Sequence, residues 1–320
     1  MARSNLGAQP SSVATANMNL DFRNRRLVRQ FDTKIRSGQI RLVKRVCLCG
    51  SDDGELLAKY GAYGEWNRVV ICRNCGLIYA SPYFDADSLR WFYESDSYRV
   101  LYEGDDFLDS ARRRLEEDTP PPPMVPMIRR WKEPGASVVE IGCGAGWHLK
   151  ALRAAGYAVH GYEYSTGLAR LGKAHGLDIR AGSPVEADEQ YDIVVINHVL
   201  EHNPDIAAFL RAVTRLMKPD GILYVGVPNM EKYGPGQFQN AHCYYFTPPT
   251  LRHYLAREGL DCLALGPSRG DHMHGVFELA RAVEPPPLSG EFARMKSVMA
   301  SRQWWVVARN TLHHLVSYVP

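Results

Sequence analysis

From Ser137 to about residue 282, short runs of β-branched residues alternate with stretches that carry apolar residues at helical spacing. This alternation is typical of parallel strands covered by helices, and it constrains the fold more than any other feature of the chain. The predicted strands are SVVEIGC, YAVHGYEY, LDIRAG, YDIVVINHV, GILYVGVPN, DCLALGP and HGVFELARA. Only a turn separates the last two strands. We therefore predict an α/β fold with a seven-stranded, mostly parallel sheet and an antiparallel last strand.

The rest of the chain divides where its composition changes. The proline run TPPPPMVP is the clearest breaker, because prolines cannot continue a helix or donate to a sheet. The predicted segments are a flexible arm at 1–40, a cysteine-bearing module at 41–82, a helical linker at 83–126, the large domain at 127–285 and a helical tail at 286–320.

Composition excludes several partners. A net charge of +3 on 320 residues is too small to indicate nucleic acid or an acidic membrane surface. No apolar run reaches the roughly 18 residues that span a bilayer, and the N-terminus lacks the apolar core of a secretory signal. We therefore expect a cytoplasmic protein that acts on a small molecule or a glycan. In the tail, Trp304 and Trp305 suggest a homodimer or peripheral membrane contact.

The stretch VVEIGCGAGWHL places Gly142, Gly144 and Gly146 between a strand and a helix. Glycines at such a turn let the backbone approach a ligand closely. The pattern is E-x-G-x-G-x-G and not the dinucleotide pattern G-x-G-x-x-G, and the carboxylate of Glu140 suits a cationic ligand better than a pyrophosphate. Glu163 ends the next predicted strand, where a carboxylate usually holds a ribose diol.

These motifs, with YDIVVINHVLEHNPDIAAFL and HCYYFTPPTLRHYLAREGL, resemble the class I S-adenosylmethionine-dependent methyltransferases, whose fold is Rossmann-like. The likeness covers roughly residues 138–282 and is greatest to the small-molecule branch with a LEH signature. It implies S-adenosylmethionine as the cofactor. The cofactor-binding residues that the resemblance implies are Glu140, Gly142, Cys143, Gly144 and Gly146 at the methionine end, Glu163 at the ribose, Tyr164, Gly182 and Ser183 near the adenine, and Asn197 facing the acceptor.

Four cysteines occur as two close pairs, Cys47 with Cys49 and Cys72 with Cys75, and a glycine follows each pair. Such pairs are typical of a structural Zn²⁺ bound tetrahedrally by thiolates, and knuckle turns need a residue that tolerates positive φ. The module resembles the N-terminal zinc knuckle of methyltransferases that act on deoxysugars or belong to polysaccharide clusters. The first pair is C-x-C where those relatives have C-x-x-C. A metal-free remnant is therefore the alternative.

The stretch INHVLEHNPD follows the fourth predicted strand, at the edge where this fold binds ligands. His202 in this stretch and His242 further along are the candidate general bases, and a loop scaffold is the alternative role for His202. A second hypothesis is a divalent cation such as Mg²⁺, bound by His198, Glu201, His202 and His242. That arrangement resembles RNA and quinone-precursor methyltransferases in which a metal holds adjacent acceptor hydroxyls. We expect Tyr93 to pack the linker, and His272 and His274 to lie on the surface.

The resemblance implies methyl transfer from S-adenosylmethionine to a hydroxyl of a sugar, in a nucleotide-sugar or a surface glycan, as part of polysaccharide biosynthesis. C- or N-methylation of a sugar or a secondary metabolite is the first alternative. The second is a non-catalytic or RNA-binding protein with a vestigial cofactor fold. Tight binding of S-adenosylhomocysteine would separate the enzyme from that last alternative.

Overall fold

The alternation of strands and helices is present in the order that the sequence predicts. The computed structural model describes residues 22–95, 97–183, 189–233, 237–267 and 270–301, and only the backbone of residues 22–25, 98 and 267. The strands are β1 (Leu42–Val43), β2 (Gly54–Tyr60), β3 (Trp66–Cys72), β4 (Ile78–Ala80), β5 (Tyr83–Phe84), β6 (Ser137–Ile141), β7 (Ala158–Glu163), β8 (Ile179–Ala181), β9 (Tyr191–Asn197), β10 (Met217–Pro228), β11 (Tyr244–Tyr245), β12 (Leu260–Pro267) and β13 (His272–Leu279). The predicted contacts of Trp304 and Trp305 lie outside the described residues.

The helices lie between and before these strands. They are α1 (Phe22–Arg36), α2 (Ala86–Glu94), α3 (Ser97–Glu103), α4 (Phe107–Glu116), α5 (Met124–Ile128), α6 (Trp147–Ala154), α7 (Thr166–Ala174), α8 (Ile206–Arg215), α9 (Pro248–Arg257) and α10 (291–301). A 3₁₀ turn spans Leu200–His202. Among the described residues, no helix combines the length and the apolar character needed to cross a membrane.

Seven strands form the large sheet in the order β12-β13-β10-β9-β6-β7-β8. Its strands run parallel, except that β13 is antiparallel to both β10 and β12. The predicted fold class is thus confirmed, including the antiparallel last strand. The chain builds the sheet outward from β6 first towards β8 and then, from β9, in the opposite direction. Ligands bind at such a switch point, beyond the carboxyl ends of the strands.

A second sheet contains residues from two of the predicted segments. Its order is β11-β4-β3-β2, and all its pairs are antiparallel. Three of its strands come from the cysteine-bearing module, whereas β11 follows β10 of the large domain and pairs Tyr244 with Tyr79. The module is therefore joined by backbone hydrogen bonds to a segment close to His242.

Most of the described part of the arm forms helix α1, which ends at Arg36. Val28 and Phe31 of α1 are buried, and the Phe31 ring contacts Phe84 and Phe92 with centroids 5.8 and 5.9 Å apart. Their spacing of three residues places Val28 and Phe31 on one face of the helix. Burial against these aromatic rings explains why a segment of such polar composition forms a helix.

Candidate functional site

The glycine-rich turn lies between β6 and α6, at the switch point of the sheet. Gly142, Gly144 and Gly146 all have positive φ, at 70°, 58° and 88°. A side chain on Gly142 would come within 2.7 Å of Val199, which follows β9, whereas a Cβ on Gly144 would meet open space. The turn is therefore packed against the β9 side at one glycine and is open to a ligand at the next.

Glu140 is a buried carboxylate near the end of β6, with 1% of its surface exposed. Its Oε1 accepts a hydrogen bond of 2.8 Å from Nδ1 of His148 in the first turn of α6. Its Oε2 is buried and unpartnered, by which we mean without a hydrogen-bond partner among the described residues. Burying an unsatisfied carboxylate oxygen is costly, so this atom fits a cationic donor such as an ammonium group.

Glu163, the last residue of β7, links the second strand to the glycine turn. Its Oε2 accepts a bond of 2.8 Å from the amide of Gly144, and its Oε1 accepts one of 2.9 Å from the amide of Ser165. Nη2 of Arg99, in α3, lies 3.7 Å from Oε1. A carboxylate has about four acceptor positions, so Glu163 keeps capacity for the hydroxyls of a ribose. Both carboxylates and the open glycine thus fit the predicted cofactor.

The remaining predicted cofactor residues lie along the same edge of the sheet. The Gly182 amide donates to the Glu163 carbonyl at 2.8 Å, Tyr164 is 56% exposed, and Cys143 is buried in the turn. Asn197 ends β9, and its Oδ1 is buried and unpartnered. The structure thus places the predicted set along the ends of neighbouring strands, with Ser183 directly after Gly182.

Glu201 is a buried carboxylate, 1% exposed, in the 3₁₀ turn after β9. Its Oε1 accepts a hydrogen bond from Nδ1 of His198 at 3.1 Å and lies 4.0 Å from Nε2 of His202. Burial raises the pKa of Glu201, but the bond from His198 and the nearby imidazoles outweigh it and lower the pKa to about 2. Burial lowers the pKa of His198, yet its bond to Glu201 raises that pKa above its ordinary value. The charge of Glu201 thus favours the protonated form of His198 at the end of β9.

His202 has a defined tautomer. Its Nδ1 lies 3.1 Å from the carbonyl oxygen of Ala241 and 2.9 Å from the hydroxyl of Tyr93. A carbonyl oxygen only accepts hydrogen bonds, so Nδ1 carries the proton and Nε2 carries the lone pair. Burial lowers the pKa of His202 more than the charge of Glu201 raises it. The residue is therefore a neutral imidazole at neutral pH, with a basic nitrogen on the Glu201 side.

His242 completes this group from the segment before β11. Its ring centroid lies 4.7 Å from that of His202, and its Nδ1 is buried and unpartnered. Burial and the neighbouring His202 lower the pKa of His242 to about 3. One ligand atom each from Glu201, His202 and His242 lies within 4.8 Å of the others. That three-residue group does not include His198, whose ring contacts His272.

Several residues near this edge were missed or misplaced by the sequence prediction. Tyr93 contacts His202 as well as packing the linker, and Arg99 lies at Glu163. His272 and His274, which we expected on the surface, are partly buried, and Nδ1 of His274 lies 2.6 Å from the hydroxyl of Tyr224. His148 had a local signal in the sequence, because it lies in the first turn of the helix that follows the glycine turn. The other four residues reach the site only through the tertiary fold.

The four cysteines of the module converge on one point. The sulfurs of Cys47 and Cys75 are 3.4 Å apart, those of Cys49 and Cys72 are 3.6 Å apart, and all four lie within 4.8 Å of one another. A tetrahedral Zn²⁺ with Zn–S bonds of about 2.3 Å separates its sulfurs by about 3.8 Å. These distances fit a metal and are far too long for disulfides. The shorter C-x-C spacing therefore does not prevent the sulfurs from meeting.

The glycine after each cysteine pair has the positive φ that the sequence predicts. Gly50 and Gly76 have φ of 86° and 72°, and their amides donate back to the carbonyls of Cys47 and Cys72 at 2.8 and 2.9 Å. Each turn thus folds its cysteine pair towards the cluster, which is the local geometry of a knuckle.

Comparison with known proteins points to one kind of domain. Residues 112–265 match the family model described as "Methyltransferase domain". The ubiquinone biosynthesis O-methyltransferase of Brucella anthropi is 32% identical over 111 residues, which are 31% of this chain and 45% of that protein. The protein of the same name from Methylobacterium sp. is 30% identical over 166 residues, 47% of this chain and 58% of that protein. The chain thus spans about half the length of the curated relatives it matches.

Among solved structures, the Burkholderia thailandensis 1,6-didemethyltoxoflavin-N1-methyltransferase, with bound 1,6-didemethyltoxoflavin and S-adenosylhomocysteine, is 18% identical. The match covers 65% of this chain and 97% of that one, with a TM-score of 0.49. The family match covers the glycine turn, strands β6 to β10 and most of β12, and it ends before β13. The seven-stranded α/β sheet is thus a Rossmann-like methyltransferase fold, and residues 112–265 are similar to a methyltransferase domain.

Proposed function

We propose that this protein transfers a methyl group from S-adenosylmethionine to a hydroxyl group of a sugar. One observation carries the proposal. The Glu140 carboxylate, the glycine turn and Glu163 lie at the ends of β6 and β7, and the neutral imidazole of His202 follows the adjacent strand β9. This arrangement supports a donor site beside a base at the switch point of the sheet.

The chemistry requires positioning and a proton acceptor. S-adenosylmethionine, when bound, supplies a methyl group on a positively charged sulfur. Glu140 and Glu163 would hold its ammonium group and its ribose, and such orientation can contribute roughly 7–11 kcal/mol to lowering a barrier. A sugar hydroxyl attacks well only as its proton leaves. Nε2 of His202 would accept that proton, because Nδ1 already donates to Ala241.

The unpartnered atoms favour an acceptor with several polar groups. Oε2 of Glu201, Nδ1 of His242 and Nδ2 of Asn240 are buried without partners in the described part of the chain. Buried donors and acceptors are nearly always satisfied in native proteins, so a bound molecule is expected to satisfy them. A polyhydroxylated sugar offers both donors and acceptors. It therefore suits this surface better than an apolar secondary metabolite.

The names of the matched relatives support O-methylation as the reaction class, because both reported relatives are ubiquinone biosynthesis O-methyltransferases. The resemblance of the histidine group to quinone-precursor methyltransferases suggests a second acceptor, a phenol with an adjacent hydroxyl. The sugar and the phenol differ in whether a metal is needed, which leads to the second candidate.

The second candidate is cation-assisted O-methylation. Glu201, His202 and His242 present one carboxylate and two imidazoles within 4.8 Å, and two of these residues carry an unpartnered atom. Such N/O donor sets suit divalent cations, which would orient an acceptor hydroxyl and favour its ionised form. In that case His202 would be a ligand and could not serve as the base. The two candidates are therefore mutually exclusive at His202.

Labelled methyl transfer tests both candidates. Purified protein would be given labelled S-adenosylmethionine with a panel of nucleotide-sugars and glycans, and in parallel with a catechol. Labelling of a sugar with no effect of EDTA on turnover, at unchanged zinc content, supports the main proposal. Labelling of the catechol alone, or activity lost in EDTA and restored by Mg²⁺ or Mn²⁺, replaces it with the second candidate. Failure to bind S-adenosylhomocysteine overturns both.

The cofactor site itself is tested by Glu163→Gln. The amide nitrogen of glutamine cannot accept from ribose hydroxyls, and a hydrogen bond to a charged group is worth about 1.5–3 kcal/mol. We expect the Kd for S-adenosylhomocysteine, measured by calorimetry, to rise about 10- to 100-fold. Asp220→Asn is the control, because the Asp220 side chain is 80% exposed and pairs with Lys132 away from the turn. Equal affinity in the wild type and Glu163→Gln would contradict the assignment.

For the module, we propose a structural Zn²⁺ bound by Cys47, Cys49, Cys72 and Cys75. The sulfur separations support it, and four thiolates leave no open position for catalysis. Elemental analysis should find about one zinc per chain. Protein that folds and binds S-adenosylhomocysteine with no metal would establish the metal-free remnant instead.

A further inference from the structure

A buried hydroxyl of the large domain contacts the four-cysteine cluster. The hydroxyl of Tyr254 lies 3.2 Å from the sulfur of Cys75, and Tyr254 is 4% exposed. Tyr254 belongs to α9, which begins at a capped turn after β11. A phenol beside a thiolate is a hydrogen-bond donor to it, since a tyrosine hydroxyl carries a proton and a metal-bound sulfur does not.

The same helix reaches the other knuckle. One turn after Tyr254, Nη1 of Arg257 donates to the carbonyl of Leu48 at 3.1 Å, between the two cysteines of the first pair. The α9 helix therefore contacts both halves of the cluster, one through a sulfur and one through the backbone.

The backbone continues this connection towards the proposed acceptor site. Cys72 ends β3, Cys75 lies in the turn that follows, and β4 then pairs with β11. The amide of Ala80, in β4, donates to the carbonyl of Cys243 at 3.0 Å, and the amide of Cys243 donates to the carbonyl of Glu201 at 2.8 Å. His242 is the residue directly before Cys243. Its position is thus fixed between the module and the turn that carries Glu201.

We propose that the metal-loaded cysteine module holds the acceptor side of the site in place, with Tyr254 as the positioning residue that ties the metal cluster to the methyltransferase domain. This inference rests on the zinc assignment above. It predicts that removing the metal loosens the segment around His242 and leaves the donor side, formed by β6 and its glycine turn, intact. The zinc would then affect how the acceptor is bound and methylated without contacting the reacting atoms.

Tyr254→Phe tests the tie to the metal. Loss of a hydrogen bond to a metal-binding side chain typically lowers metal affinity about 10- to 100-fold. Competition with a chromophoric zinc chelator should show a loss in this range for Tyr254→Phe and none for Tyr157→Phe. Tyr157 is a matched control, because it is also buried and its hydroxyl donates to a backbone carbonyl, that of Lys132, remote from the cysteines. Equal zinc affinity in Tyr254→Phe and the wild type would overturn the role of Tyr254.

Hydrogen exchange tests the connection to the acceptor side. In zinc-depleted full-length protein, amides of residues 78–80 and 243–246 should exchange faster, while those of β6 and the affinity for S-adenosylhomocysteine stay unchanged. Unchanged exchange in both regions would overturn the coupling, as would a global loss of protection that includes β6. A wild type that never contains zinc would instead overturn the zinc assignment itself. Elemental analysis of the same sample distinguishes these failures.

Discussion

At the residue scale, burial determines which histidine can act as a base. Both His202 and His242 are neutral at neutral pH, because burial lowers the pKa of each. They differ in their partners. Ala241 fixes the proton of His202 on Nδ1 and leaves Nε2 basic, whereas the pKa of His242, about 3, makes it too weak a base to take a proton from a hydroxyl. Of the two candidate bases that the sequence left open, the structure therefore favours His202 over His242.

Replacing His202 with glutamine should lower kcat by about 10²–10⁴, the usual contribution of a general base. The affinity for S-adenosylhomocysteine should stay unchanged, because His202 follows β9 and contacts Tyr93 and Ala241. The wild-type kcat/KM should fall as the pH drops through the lowered pKa of His202, below its ordinary 6.5, because the base is then protonated. Steady-state kinetics across pH checks both effects.

His242→Gln is the matched variant for that measurement. It should cost less in kcat than His202→Gln and keep the acid limb of the profile. A greater loss in His242→Gln, with the acid limb removed, would transfer the base role to His242. Full turnover in both variants would indicate that neither histidine is the base and that the stretch containing His202 is a loop scaffold.

At the element scale, close strand packing places the side chains at the end of β9. Gly226 of β10 lies beside Asn197, and a Cβ on Gly226 would come within 2.0 Å of Oδ1 of Asn197 and 2.9 Å of Nδ1 of His274. The next residue, His198, has a positive φ of 57°, and its amide donates to the carbonyl of Gly226. The tight β9–β10 contact thus turns the chain sharply into the Glu201 segment, at a backbone cost that such sites often carry.

Gly226→Ala should therefore destabilise the protein by about 1–3 kcal/mol, the usual cost of overpacking. Gly266→Ala, in β12 of the same sheet, is the control. A Cβ there meets nothing within 4 Å, so its effect should stay within about 0.5 kcal/mol. Urea unfolding followed by circular dichroism measures both free energies. Equal stability of the two variants would show that β10 moves aside easily.

At the scale of the whole molecule, one stretch of chain contacts both the cysteine module and the turn that carries Glu201. The segment from His242 to α9 leaves the large sheet, completes the small one through β11 and returns to contact the cysteines through Tyr254. The acceptor side therefore depends on the module, whereas the donor side is built within the large sheet. This arrangement keeps two buried histidines, His202 and His242, uncharged inside the folded protein.

The free energy of unfolding should consequently fall in mild acid. Above pH 6.5 these two imidazoles are neutral in both the folded and the unfolded chain, so they add no pH dependence. As the pH falls from 6.5 towards the folded pKa values, only the unfolded chain takes up protons. Each histidine then costs up to about 1.4 kcal/mol per pH unit. Urea titrations between pH 7 and pH 5 measure the slope, which should decrease in His242→Gln. A free energy of unfolding that does not change over this pH range would mean that the imidazoles of His202 and His242 stay solvated in the folded protein.

The sequence by itself determined the large sheet, the glycine turn with Glu140 and Glu163, and the paired cysteines, because each depends on a local pattern. Strand periodicity, turn glycines and ligand spacing are all encoded within about ten residues. Only the tertiary structure decided the rest. It brought Tyr93 and Arg99 of the linker to His202 and Glu163, placed His242 beside residues some 40 positions earlier, and set Tyr254 against Cys75. Such contacts depend on how separate elements pack, and no local periodicity records that packing.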